Sequence, residues 1–211
     1  MSLKSIADRT GCPIRFLVGV RAVESGGDPT AVRFEPHLFL RHCPKLVVSI
    51  PRETPAVAAT SIRRTTREAK KVPYTPGRMR DGTLRAASSV ASETDRASFE
   101  FAFGLDPIAA VLSSSWGSYQ QLGGSFPRAL DRDMETPADA REVVAAFDAN
   151  PQDVSNALLA AWLLSNPKAL AAAKKGDVEE FVKRYNGGPN PGYCAKMRKA
   201  FADFDAGKLK P

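Results

Sequence analysis

Glu24 stands at the end of a largely apolar run, Ile14 to Val23, and directly before the polar turn Ser25-Gly26-Gly27. A side chain at such a junction can be half-buried against a core and still face a cleft. Burial disfavours the ionised form of a carboxylic acid, so the group keeps its proton near neutral pH and can donate it. That is the chemistry of a general acid, and a general acid works with partners. Glu35, in Phe34-Glu35-Pro36-His37, is the candidate second carboxylate. Asp28 is a weaker rival, because aspartate in Gly26-Gly27-Asp28-Pro29 is good turn chemistry by itself. Two later segments carry polar groups and glycines suited to a binding surface, Ser115-Trp116-Gly117-Ser118-Tyr119-Gln120 and Tyr185-Asn186-Gly187-Gly188.

The elements that must position these residues are mostly helical. Ser2 caps a short helix through Arg9 that Gly11 ends, and Pro13 suits the first turn of a second helix through Glu24. The apolar residues of that second helix lie on most of its sides, as in a central core helix. Residues 30–40 alternate weakly and predict a small hairpin or extended arm. Helical patterns return at 92–103 and at 107–115, where Asp106-Pro107 reads as N-cap and first turn. The last third predicts helices near 137–149, 151–165, 167–174, 177–185 and 191–206, punctuated by Pro151, Pro167 and Gly176. The expected fold is mainly α, a helical core with a small β-hairpin, and no internal repeat or second domain breaks the pattern.

Composition narrows the function classes. The chain has 211 residues and a net charge of +7, and its apolar and charged fractions are those of an ordinary soluble domain. No window is long and apolar enough to span a bilayer. The first residues lack the apolar core of a signal peptide, so the expectation is synthesis in a cytoplasm and export by another agent. Three widely spaced cysteines (Cys12, Cys43, Cys194) and two histidines (His37, His42) argue against a disulfide framework and a zinc site. Residues 44–90 hold ten Lys/Arg against three acids, so the whole net charge resides there. Prolines mark that segment as an irregular insertion with one short helix near 56–71, and its charge suits a polyanionic partner. The opening Ser2 to Val23 has the rhythm of a helix-turn-helix. Its second helix offers Phe16, Leu17, Val18 and Val20 where a recognition helix needs polar side chains, which argues against sequence-specific nucleic-acid binding.

Taken in order, four blocks resemble the N-acetylmuramidase family of phage endolysins, in the lysozyme-like superfamily with goose-type lysozymes and soluble lytic transglycosylases. They are Val23-Glu24-Ser25-Gly26-Gly27, Phe34-Glu35-Pro36-His37, Ser113-Ser114-Ser115-Trp116-Gly117-Ser118-Tyr119-Gln120 and Arg184-Tyr185-Asn186-Gly187-Gly188-Pro189. The family shows Val-Glu-Ser-x-Gly, Phe-Glu-x-His, Ser-Ala-Ser-Trp-Gly-x-x-Gln and Tyr-Asn-Gly-Pro-Gly-Tyr. The likeness covers about residues 1–43 and 92–206. It departs in a short Glu24–Glu35 loop, in Asn190-Pro191-Gly192-Tyr193 interrupting the Pro-Gly-Tyr block, and in the segment 44–90, which does not align. A wall-binding repeat domain, which endolysins of this family often carry, is not expected ahead of the catalytic part.

The resemblance implies a lysozyme-like α+β fold in a single domain over residues 1–211. It also implies acid-assisted cleavage of the β-1,4 bond between N-acetylmuramic acid and N-acetylglucosamine in peptidoglycan. Such chemistry needs an acid for the leaving oxygen and a group that supports oxocarbenium-like charge, with no metal or other cofactor. Glu24 is the expected acid. Glu35 is expected to hold a water as base or to support charge electrostatically. Ser25 caps or orients the turn after the helix. Trp116 either stacks on a sugar or anchors the turn from the core. Gly117 lets backbone approach the sugar, and Gln120 bonds hydroxyl or N-acetyl groups. Tyr185 orients the acid, and Asn186 fixes its loop or contacts an acetamido group. Tyr193 has no assigned role. Two alternatives share these residues: a lytic transglycosylase, which needs one carboxylate, and a virion or injection-apparatus component that docks to tail or baseplate proteins through the basic segment.

Overall fold

The computed structural model describes residues 1–42 and 91–211; the basic insertion and its expected helix near 56–71 lie outside the described residues. Local capping chemistry starts the helices. In α1 (Leu3–Thr10) the Ser2 hydroxyl accepts from the Ser5 amide at 3.1 Å. Helix α2 (Ile14–Glu24) begins one residue later than expected, with Pro13 in extended backbone at the N-cap. Strand β1 (Val32–Phe34) leads into α3 (Pro36–His42), and α4 (Ala91–Leu105) precedes α5 (Pro107–Leu112), capped by Asp106. The C-terminal half is helical: α6 (Phe126–Leu130), α7 (Pro137–Ala149) with a Thr136/Asp139 capping box, α8 (Pro151–Ser165) and α9 (Pro167–Lys175). Asp177 caps α10 (Val178–Tyr185), and Asn190 caps α11 (Pro191–Asp205).

Two expectations are corrected. Within residues 30–40 the extended alternative holds over Val32–Phe34, and no local hairpin forms. Strand β1 pairs instead with β2 (Ser114–Trp116), which pairs with β3 (Gln121–Leu122), in a three-stranded antiparallel sheet of order β1-β2-β3. The helix expected over 107–115 stops at Leu112. Ser113-Ser114-Ser115 is a poor helix run, since each hydroxyl competes for backbone groups. The Ser114 hydroxyl bonds back to Ala110 O at 2.9 Å, and the following backbone gains strand pairing instead.

Apolar burial falls into two clusters. One joins α1, α2 and α8 to α11 around Phe16, Leu17, Phe181 and Met197; the other joins the sheet to α4 to α8 around Phe99, Trp116, Phe126 and Phe147. Helix α8 belongs to both, with Val154 and Leu158 in the second and Leu159 and Leu163 in the first. Helices α2 and α11 run antiparallel. Arg15 pairs with Asp205, Gly19 faces Phe201 and Met197, and Glu24 meets Tyr193. Gly19 makes the close approach possible, because a Cβ there would lie 2.6 Å from the Phe201 ring. Among the described residues no helix is long and apolar enough to cross a membrane.

Candidate active site

Glu24, the last residue of α2, opens onto a cleft of about 270 Å³ between the two clusters. Arg33, Glu35 and Leu38 form one wall, Ser115, Gln120 and Leu122 the floor, and Tyr185 and Asn186 the far wall. The sheet register explains the floor. Arg33 lies opposite Ser115 and Ser115 opposite Leu122, so these three share the face turned to the cleft. The adjacent row, Val32, Trp116 and Gln121, turns into the core and is buried.

The two glutamates sit in different surroundings. Oε1 of Glu24 accepts a hydrogen bond from the Tyr193 hydroxyl at 2.7 Å. Burial pushes the Glu24 carboxyl above the ordinary carboxylate range, and outweighs the Tyr193 hydrogen bond and the fields of Arg33 and Lys196, which pull it down. Tyr193 is itself raised far above a free phenol, first by burial and then by Tyr185 and Glu24, so it stays a donor. Glu35 lies with Oε1 3.2 Å from Nε of Arg33 and keeps 11 % of its side chain exposed. Burial raises it too, opposed by the Arg33 guanidinium. One carboxyl thus has a neutral phenol against it and the other a cation.

A network behind the floor holds the Glu24 turn in place. The Ser25 hydroxyl donates to Ser118 O at 3.0 Å and accepts from the Gly27 amide at 3.2 Å. The Ser118 amide donates to the Ser155 hydroxyl at 2.6 Å. Gln120, in the left-handed region at φ 49°, turns its amide nitrogen to Gly117 O at 3.0 Å. Asp28 is engaged in its own turn, accepting from the amide and hydroxyl of Thr30 at 2.8 and 2.7 Å.

The cleft brings together Glu24, Glu35, Gln120, Tyr185 and Asn186. Ser25 lies beside it as a brace. Trp116 and Gly117 do not fit a sugar-contacting role. Trp116 is fully buried; its indole donates to Val111 O at 3.2 Å, and Phe99, Phe126 and Phe147 pack edge-on against it at 5.0 to 5.2 Å. It offers no face to a ligand, because strand alternation gives the cleft to Ser115 instead. Gly117 is buried at φ 68°, and a Cβ there would collide with the Ser155 side chain, so the glycine serves internal packing. The Tyr185 hydroxyl bonds Tyr119 O and accepts from Gln121 Nε2 at 2.6 Å, so Tyr193 rather than Tyr185 holds the acid. Sequence reasoning left Tyr193 unassigned and passed over Arg33, Ser115, Leu38 and Leu122. The period-two relation of Arg33 to Glu35 was a readable signal for Arg33. For Tyr193 the signal was the closing tyrosine of the interrupted Pro-Gly-Tyr block.

The fold is similar to the crystal structure of the Burkholderia AP3 phage endolysin, with a TM-score of 0.62 at 19% identity over 97% of this chain and 69% of that one. No curated protein matches the sequence. The sequence profile of the family described as N-acetylmuramidase matches residues 14–205, a span that holds every residue lining the cleft. On that match the chain belongs to the N-acetylmuramidase family, lysozyme-like glycoside hydrolases that cleave peptidoglycan.

Proposed function

We propose that Glu24 is the general acid for hydrolysis of the N-acetylmuramic acid–N-acetylglucosamine β-1,4 bond, and that Glu35 is the second carboxylate. The observation that carries this reading is the pairing of both carboxyls in one cleft with unlike neighbours, a phenol at Glu24 and a guanidinium at Glu35. Two carboxyls with unlike neighbours in one site can divide the roles of acid and base. Glu24 donates its proton to the leaving oxygen. Glu35, whose anion Arg33 favours against the effect of burial, orients the attacking water and faces the oxocarbenium-like charge. Gln120 and Asn186 supply amide groups for acetamido and hydroxyl substituents, and exposed Leu122 supplies an apolar surface for a sugar ring.

A lytic transglycosylase would cut the same bond by internal attack of the muramyl hydroxymethyl, with Glu24 alone. The Arg33–Glu35 pair in the cleft favours hydrolysis. Mass spectrometry of digested, purified sacculi decides between them. Free reducing muramyl ends support the proposal, and 1,6-anhydromuramyl ends overturn it.

The phage-endolysin likeness supports a phage-derived lysin that reaches the wall from the cytoplasm through a lesion or inside a particle. Docking to tail or baseplate proteins would fall to the segment 44–90, outside the described residues. Detecting the chain in purified particles by mass spectrometry tests carriage in the virion; its absence from them favours release at lysis.

A further inference from the structure

Arg33 has donors that its pairing with Glu35 does not use. Strand β1 alternates buried, exposed, buried over Val32, Arg33 and Phe34, which puts Arg33 on the cleft side, opposite Ser115. Its closest approach to Glu35 is through Nε, at 3.2 Å. A guanidinium is a planar fork of five N–H donors, so a contact at Nε leaves an outer edge for a second acceptor. Among the described residues, Glu35 is the one ion-pair partner of Arg33. The two partners are unequally open, with 47 % of the Arg33 side chain exposed against 11 % for Glu35. The pair therefore presents its cation more than its anion. The substrate carries the matching charge. N-Acetylmuramic acid bears a lactyl ether whose carboxyl is either free or amide-linked to a peptide with carboxylates of its own. The cleft that receives it already holds two carboxyls, Glu24 and Glu35, and Arg33 is the one cation among the described residues lining it. Lys196 acts on Glu24 but lies outside that lining. Ser115, Gln120 and Asn186 offer hydrogen bonds without charge. An anionic sugar entering beside acids is repelled unless a cation meets it.

We propose that Arg33 is a specificity-determining residue: the open edge of its guanidinium binds the carboxylate carried on the lactyl substituent of the muramyl sugar. The inference rests on reading this cleft as the glycan-cleaving site. Strands built only of N-acetylglucosamine lack that substituent, so Arg33 separates acidic wall glycan from neutral polymer. The carboxylate has two sources, the lactyl group itself in peptide-free strands and the stem peptide in substituted ones. Both present the same planar acceptor to the same fork.

Calorimetric binding tests this in a Glu24→Gln background, which keeps the ligands uncut. Three soluble glycan strands of equal length serve as probes: peptide-free with free lactyl carboxyls, the same strand converted to lactyl methylamides, and peptide-bearing. The free-acid strand should bind about fivefold tighter than the methylamide, the scale of a partly exposed charge pair. Arg33→Gln should erase that difference, and Arg33→Lys should keep part of it. A preference confined to the peptide-bearing strand and lost in Arg33→Gln supports the proposal with the peptide as the source. Equal binding of the three strands, or a preference that survives Arg33→Gln, overturns it. Arg33→Gln also unmasks Glu35, so the comparison is repeated with Glu35→Gln added. There the preference should persist with Arg33 and vanish without it; its return in Arg33→Gln/Glu35→Gln assigns the effect to Glu35 and overturns direct contact. An error in the underlying reading of the cleft shows separately, as no binding of any strand.

Discussion

The two walls of the cleft present the same functional group in opposite settings. On the helical wall, Glu24 ends a buried helix, and its nearest polar neighbour is the neutral hydroxyl of Tyr193. On the sheet wall, Glu35 follows a short strand and lies against Arg33. Burial raises both carboxyls, so burial alone does not divide the labour. The neighbours do. A phenol supplies one hydrogen bond and no charge, a pull toward the anion that burial outweighs. A guanidinium supplies a full charge, which favours the anion.

The largest break in this comparison is Glu24→Gln. It should lower kcat/KM on purified sacculi by about 10²–10⁴-fold, the usual worth of a positioned general acid, with sacculus binding nearly unchanged. The same variant should melt higher at neutral pH. Glu24 has a folded-state pKa above its unfolded one, so its stabilising contribution is complete below the unfolded value and is lost as pH rises through the folded value. Calorimetry at neutral pH should therefore find a gain in Tm that vanishes in acid.

Next comes Glu35→Gln, expected to cost about 10²-fold, the scale of one preorganised electrostatic group. Hydrolysis in this variant should also lose its acid limb, since no anion remains to be protonated on that wall. A full-rate variant with the limb intact would leave the sheet wall without a catalytic role.

Tyr193→Phe sharpens the comparison from the other side. The phenol favours the Glu24 anion, so its loss should move the alkaline limb of the pH–rate profile upward, with a several-fold loss in kcat from a less firmly held acid. A downward shift of that limb would contradict the assigned hydrogen bond. The smallest effect on activity should come from Trp116→Phe. Stability should fall by about 1–2 kcal/mol in denaturant melts, as for a core truncation, with KM within about twofold at 25 °C. A tenfold rise in KM would put the indole back on the sugar.

Much of this site was legible because its residues sit at element ends. Glu24 before Ser25-Gly26-Gly27 and Tyr185 before Asn186 mark helix termini, and termini face clefts. The helices announced themselves through Ser2, Asp106 and the prolines at 107, 137, 151, 167 and 191. What was not legible depended on pairing between distant segments. A three-residue strand such as Val32–Phe34 has too short a pattern to declare its partner, and its partner lies beyond the insertion. Without that register nothing says whether Ser115 or Trp116 faces the cleft, and the aromatic residue is the natural but wrong choice. Tyr193 was hidden for a similar reason. Its place depends on where α11 crosses α2, which the Gly19–Phe201 contact sets and no local motif states.

The hydrogen bond between Tyr193 and Glu24 joins positions separated by 169 in the chain. Translation delivers Glu24 long before Tyr193, so a nascent chain still lacking α11 has the glutamate without its phenol partner. The acid takes on its working character only when α11 docks. A fragment severed before that helix, by truncation or by a protease, would keep most of the cleft floor and lose the phenol that holds the acid, so wall-cutting competence reports that α11 has docked on α2.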